Sequence, residues 1–262
     1  MRFSVITPVY VDNEDTANEL LRAIESIKNQ TFNHKDFQHV IVNDGSVHKV
    51  DIPKHPWIKL INQENLQRIT AYNTGLQNTE GEIITLLDGD DEYDPTYLEE
   101  VDKSFKENPD YKLINFGCTY MHSDGVSTRR DPFRPKEEEI GHEIFGGGKV
   151  VNGTFAFHRS VYEDLGGYPP HHTVDIDCSD IGYSEGPREL WMTSPYDFSA
   201  YAQMKFPEIR PHFQEKHPDH PRGLVRELGN PWGNDFYLFY KYTRKYHSKP
   251  IDKYLYVVHP KN

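Results

Sequence analysis

The first 117 residues alternate between two periodicities, and that alternation leaves few folds open to the chain. Residues 3–7 are apolar and β-prone, and they stop at Pro8. Asp12 or Asn13 can then cap a helix in which Ala17, Leu20, Leu21, Ile24 and Ile27 recur at helical spacing. "FQHVIV" (37–42) reads as a second strand and runs into the turn "NDGS" (43–46). Residues 57–61 make a third strand, 70–77 a helix and 82–87 a fourth strand. Asp94 is placed to cap a further helix, with Pro95 at its first position and Leu98, Val101 and Phe105 inside. "KLINFG" (112–117) adds another strand. Strand and helix in alternation imply a parallel sheet covered on both faces.

Ligands of such sheets bind beyond the carboxyl ends of the strands. Three polar segments directly follow strands here, at 8–10, 43–46 and 88–91, and they are expected to meet at one edge. The third is the most unusual. "ITLLDGDDEYDP" (84–95) takes an apolar strand straight into Asp88, Asp90, Asp91 and Glu92. Four acids in five positions repel one another unless water or a cation separates them. One reading is a solvated helix start, because acids favour helix N-termini. Another is a divalent-metal site. An EF-hand fits poorly: Asp88, Asp90, Glu92 and Glu99 fall at loop positions 1, 3, 5 and 12, but Tyr93 replaces the required glycine.

The second half is less regular. Residues 129–139 are charged, and Gly146, Gly147 and Gly148 form a break. "GTFAFHRSVYEDLGGY" (153–168) reads as strand, short helix and glycine turn. Residues 171–231 are rich in Pro, His and Asp with little periodicity, and look like a long insertion or lid. "NDFYLFYKYTRKY" (234–246) is helical, and "KYLYVV" (253–258) is a final strand. His171, His172, His212, His217 and His220 have no matching cysteine pair, so exposed loop histidines are favoured over zinc. Trp191 and Trp232 serve equally as core or as an acceptor platform.

Composition narrows the partners. A net charge of −12 disfavours a general nucleic-acid coat. Two cysteines cannot build a disulfide framework and suit a reducing compartment. No segment approaches the ~20 apolar residues of a membrane helix, and Met1 leads straight into the first strand without a signal-peptide pattern. A soluble, cytoplasmic chain without stable membrane insertion is the expectation.

Several of these segments together resemble the inverting glycosyltransferases of family 2, which have the GT-A fold. "VITPVY" followed by "LLRAIESIKNQTF" is similar to that family's first strand and helix, and "VIVNDGS" to its "VDDGS" loop. "NQENLQRITAYNTGLQNTEGEIITLLDGDDEYDPTYLE" resembles its central block, ending in the acidic D-x-D motif. "HRSVYEDLGGYP" looks like its acceptor-side loop, and "GNDFYLFYKYTRKY" with "LYVVHP" like its late catalytic helix and the strand after it. The chain departs at Gln67, Tyr72 and Asn43, where the family usually has glycine, arginine and aspartate.

The resemblance implies one α/β GT-A domain over 1–262, with a nucleotide-sugar half (1–117) and an acceptor half (118–262). It implies a nucleotide-sugar donor, UDP-linked in the family's manner, and Mn²⁺ or Mg²⁺ to steady the diphosphate that leaves. Asp90 is the expected metal ligand and Asp88 the ribose- or metal-side acid, with Asp91 behind them. His259 could approach the metal or remain a surface histidine. Asp44 is expected to accept a base N–H, although an Asp-Gly turn needs no ligand. Pro8, Val9, Tyr10, Asn43 and Gly89 join it in the nucleotide site, where Tyr10 could stack on the base, and Arg68 either approaches the nucleotide or is a solvated arginine.

An inverting transfer needs a carboxylate to take the acceptor's proton. Asp235 is the expected base, with Asp197 the rival and a plain helix-start acid the alternative. The acceptor is left open among a glycan, a lipid-linked glycan, a modified nucleobase and a protein. Two other functions compete: a nucleotidyltransferase that makes sugar nucleotides, for which "TPVYVDNED" lacks the glycine-rich basic loop, and a non-catalytic sugar-nucleotide-binding module.

Overall fold

The structure, a computed structural model, describes residues 1–66, 68–134, 151–168, 238–239, 242–243 and 245–260. The chain divides into two compact units: Met1–Arg134 with Val150–Gly167 and Tyr242–Asn262, and Pro135–Lys149 with Tyr168–Lys241. All the strands below lie in the first unit. The expected insertion at 171–231, Asp197 and Asp235 fall outside the described residues.

In order, the elements are β1 (Phe3–Val9), α1 (Glu14–Lys28), β2 (Phe37–Asp44), β3 (Ile58–Gln63), α2 (Arg68–Gln77), β4 (Ile83–Leu86) and β5 (Glu92–Tyr93). They continue as α3 (Tyr97–Glu107), β6 (Leu113–Met121), β7 (Ser127–Arg130), β8 (Phe155–His158), α4 (Arg159–Leu165) and β9 (Ser248–Val258). The sheet order is β3-β2-β1-β4-β8-β6-β9-β5, with β7 beside β6. β3, β2, β1 and β4 are parallel, as their connections require. β8 runs antiparallel between β4 and β6, and β9 returns parallel to β6.

Burial on both faces explains why β1 and β2 read as near-continuous apolar runs. On one face Phe3, Val5 and Val9 join Phe37 and Ile41 under Leu20, Ala23, Ile24 and Ile27 of α1. Asn13 starts α1 with a capping box, its side chain taking the Thr16 N–H while Thr16 reaches back to the cap. On the other face Ala71 of α2 packs on Val40 and Val42. Gly75 lets α2 come close to β1, since a Cβ there would stand 2.3 Å from Ile6 Cγ2.

Three features differ from the sequence expectation, the simplest being that the final strand starts at Ser248 rather than at Lys253. The helix after the acids starts at Tyr97, not at Pro95. Asp94 instead closes a local turn, accepting from Thr96 N (2.8 Å) and Thr96 Oγ1 (2.6 Å). The helix is delayed because Glu92 and Tyr93 pair with Val257 and Tyr256 as a short strand. β7 is a four-residue hairpin partner of β6, and its polar sequence STRR carries no apolar alternation to mark it as a strand.

The β5 pairing also shapes the sheet. β4 and β5 stand four places apart in the sheet order yet are joined by only residues 87–91. Four strand spacings of a flat sheet cover about 19 Å. Five linking residues reach roughly that far only when fully extended, and these contain a turn, Asp91 N–H to Asp88 O at 3.2 Å. The sheet therefore curls, and its curl brings the end of β9 to the acid loop.

Candidate functional site

Parallel register sets the ends of β1 and β2 side by side, with Val9 opposite Asn43, while β4 ends at Leu86 opposite Ile6, so residues 87–91 run alongside the end of β1. The first two loops are laced together: Val11 N–H donates to Ser46 Oγ (2.7 Å) and His48 N–H to Val11 O (3.0 Å). The acid loop rests on the end of β1. A Cβ on Gly89 would lie 3.5 Å from Pro8 O and 3.6 Å from Val9 Cγ2, ordinary contact distances. The expected convergence of the three segments is therefore present. Pro8 and Val9 are buried supports, whereas Tyr10 is 42% exposed.

At the end of β2, Asn43 uses its side chain on its own turn and on β3. Its Oδ1 accepts from Ser46 N (3.0 Å) and its Nδ2 donates to Asn62 Oδ1 (2.9 Å). Asp44 is buried, and its Oδ1 accepts from Gln63 Nε2 (2.7 Å) and Leu66 N (2.9 Å). Gly45 is required twice over: its φ is +70°, and a Cβ would stand 2.5 Å from Asn65 N. Arg68 is half-buried at the first position of α2.

At the end of β4, carboxylate oxygens of Asp88, Asp90 and Asp91 all lie within 4.8 Å of one another. Buried Tyr72, standing where the family usually has arginine, donates its hydroxyl to Asp88 Oδ1. Asp91 is bonded at both oxygens, Oδ1 by His259 N–H (3.0 Å) and Oδ2 by the Tyr256 hydroxyl (2.8 Å). Burial raises the Asp91 carboxyl to about 8, the charges of Asp88 and Asp90 add to the rise, and the two hydrogen bonds oppose it. Such a group binds either a proton or the field of a nearby cation. Hard oxygen donors at this spacing fit Mn²⁺ or Mg²⁺, whose opposite ligands stand about 4.2 Å apart. The residues present thus suit the expected metal.

The His259 ring faces Glu92, Nε2 to Oε1 at 2.6 Å. Arg22 of α1 meets the same Glu92 (3.3 Å) and donates to the Asp90 carbonyl oxygen (2.5 Å). Arg22, Tyr72 and Tyr256 were not anticipated as parts of the site. Tyr72 was visible only as a departure from the family pattern. Arg22 and Tyr256 carry no local signal, because one is a polar helix position and the other an inward strand position.

The curled α/β sheet and its strand-end loops define a GT-A-type fold. Structure comparison agrees: S. aureus TarS superposes with a TM-score of 0.58 at 14% identity, covering 99% of this chain and 37% of that one. TarS 1–349 in complex with UDP-GlcNAc gives 0.51 at 16% identity, covering 91% and 73%. The family model for glycosyl transferase family 2 matches residues 4–166, and the chain belongs to that family. Curated relatives include the putative glycosyltransferase EpsH of Bacillus subtilis, 28% identical over 61% of this chain and 48% of its own length. Glycosyltransferase GlyA of Streptococcus pneumoniae is 35% identical over 48% of this chain and 18% of its own length. The chain thus spans about half or less of these relatives.

Proposed function

We propose that the chain transfers a sugar, with inversion, from a UDP-linked donor to a hydroxyl acceptor, using Mn²⁺ or Mg²⁺. The observation that carries this is the Asp88–Asp90–Asp91 cluster at the strand edge that also holds Asp44. The similarity to TarS 1–349 in complex with UDP-GlcNAc supports the donor class. Asp44 is assigned to the base, with Tyr10 free to stack on it and Arg68 at the nucleotide's side. Asp88 is assigned to the ribose or metal side and Asp90 to the metal. The bound cation would supply charge stabilisation for the departing nucleoside diphosphate.

The acceptor hydroxyl oxygen attacks the anomeric carbon from the face opposite the donor diphosphate. As the new C–O bond forms, the bond from sugar to diphosphate breaks. The hydroxyl proton goes to a carboxylate, which we assign to Asp235, with Asp197 as rival. No covalent enzyme intermediate is required. His259, turned to Glu92, is assigned to ordering the acid loop, with a metal contact open to it once Glu92 is displaced. For the acceptor, a glycan or lipid-linked glycan is favoured by a relative named for minor teichoic acid biosynthesis, GgaB of Bacillus subtilis. No described helix is long and apolar enough to cross a membrane.

The test is a panel of UDP-, GDP- and TDP-sugars assayed for release of nucleoside diphosphate with and without Mn²⁺. The expected result is metal-dependent turnover of a UDP-sugar. Asp235→Asn should keep UDP binding by calorimetry and lose turnover by roughly 10²- to 10⁴-fold. Turnover that survives in that variant moves the base elsewhere, and a chain that binds none of the nucleotides fails the whole reading.

A further inference from the structure

The acid loop is held at both ends by one atom that belongs to neither the loop nor the first half of the chain. The Tyr256 hydroxyl on β9 accepts from the Asp88 N–H (3.2 Å) and donates to Asp91 Oδ2 (2.8 Å). Asp88 and Asp91 bound the turn that carries Asp90 between them. Tyr256 is fully buried. Its ring has nowhere else to go: a Cβ on Gly153 would stand 1.7 Å from it, and Tyr93 meets it edge-on at 5.7 Å. Gly153 is in turn fixed by the Tyr97 hydroxyl on its carbonyl oxygen (3.1 Å). Next along β9, Leu255 O takes the Asp94 N–H (2.9 Å), and after the strand His259 N–H takes the other oxygen of Asp91.

We infer that Tyr256 is a positioning residue for the cation site: through its one hydroxyl it sets the turn that aims Asp88 and Asp90, with Asp91 acting as the strut. This rests on the metal reading above. A carboxylate with one oxygen bonded to β9 and the other to the residue just after it is built to fix geometry, while Asp88 and Asp90 supply the donors. Partners behind metal ligands typically matter by 10- to 100-fold in affinity.

The experiment uses the full chain and Mn²⁺, with free Mn²⁺ read by electron paramagnetic resonance, and compares wild type, Asp90→Asn, Tyr256→Phe and Asp91→Asn. Tyr256→Phe removes only the hydroxyl. It should weaken Mn²⁺ binding roughly 10- to 100-fold, leave metal-free UDP binding unchanged, and raise the Mn²⁺ concentration needed for half-maximal turnover more than it lowers the maximum. A lower melting temperature with unchanged Mn²⁺ affinity makes Tyr256 merely structural and overturns the inference. Asp91→Asn supplies the arm that does not depend on Tyr256→Phe folding. Its amide can donate to the Tyr256 oxygen and its carbonyl can still accept from His259 N–H, so the strut persists and the loss should stay under about tenfold. A loss equal to that of Asp90→Asn makes Asp91 a ligand and overturns the inference. Wild type that takes up no Mn²⁺, or takes it up independently of Asp90, overturns the metal reading itself, an outcome distinct from both.

Discussion

Two aspartates at the same strand edge, Asp44 at the end of β2 and Asp91 after β4, are each 4% exposed. They are buried by opposite means. Asp44 is held through one oxygen by two neutral N–H donors, Gln63 and Leu66. Asp91 sits among Asp88 and Asp90, and its carboxyl is pushed up to about 8. Equal burial therefore says little about what a carboxylate is for. On the function proposed above, neighbouring charge divides the edge into an end for a neutral, N–H-bearing base and an end for a cation.

The most severe break in that division is Asp90→Asn. It should lower metal-dependent turnover by about 10³-fold, near 4 kcal/mol, while leaving metal-free UDP binding within a few-fold. Asp44→Asn should do the reverse, weakening UDP while Mn²⁺ uptake holds. Calorimetry on both variants checks the pair. A loss of UDP and Mn²⁺ together in either variant would show that the two ends act as one site.

Next in size is the stabilisation that a cation brings. Mn²⁺ at a hundred times its dissociation constant should raise stability by about 2.7 kcal/mol through linkage. The gain should vanish in Asp90→Asn and persist in Asp44→Asn, as read by denaturant melts. Gly45→Ala probes the other end. With φ at +70° and Asn65 N in the way, an alanine there should cost roughly 1–3 kcal/mol. Its effect should fall on UDP affinity and spare Mn²⁺.

Much of this was legible in the residues, and the reason differs by region. β1, α1, β2, α2 and β4 follow local rules: apolar period, capping box, and a glycine where helix meets strand. The edge where their loops meet followed from parallel topology alone. What could not be read was the contribution of β9. Tyr93 pairs with Tyr256 and Asp91 bonds His259 across more than 160 residues, and no local pattern carries such a contact. For the same reason Asp94 read as a helix cap, because a strand pairing that delays the helix cannot be seen nearby. Tyr72 was visible as a departure at a family arginine, but its bond to Asp88 needed the fold.

The smallest effect separates the two ends by pH. His39 lies on β2, five residues before Asp44, fully buried, with Nε2 at 2.8 Å from Thr7 Oγ1. Burial lowers its imidazolium from the ordinary value of 6.5 to about 3. The unfolded chain therefore binds a proton below pH 6.5 that the folded chain refuses until about pH 3. Its contribution to stability is complete above 6.5 and is lost as pH falls through that window, by about 1.4 kcal/mol per pH unit. Between pH 5.5 and 6.5 the raised Asp91 carboxyl acts in the opposite sense, because the folded chain there holds a proton that the unfolded chain has lost. The His39 share is therefore read as the difference between wild type and His39→Gln, which can keep a bond to Thr7, in denaturant melts over that range. That difference should keep the same slope whether or not Mn²⁺ is present, because His39 lies in the core of β2 and β1, whereas the Asp91 share should change with Mn²⁺. A difference that Mn²⁺ abolishes, or no difference between the two chains, would move the origin of the pH dependence from β2 to the acid loop.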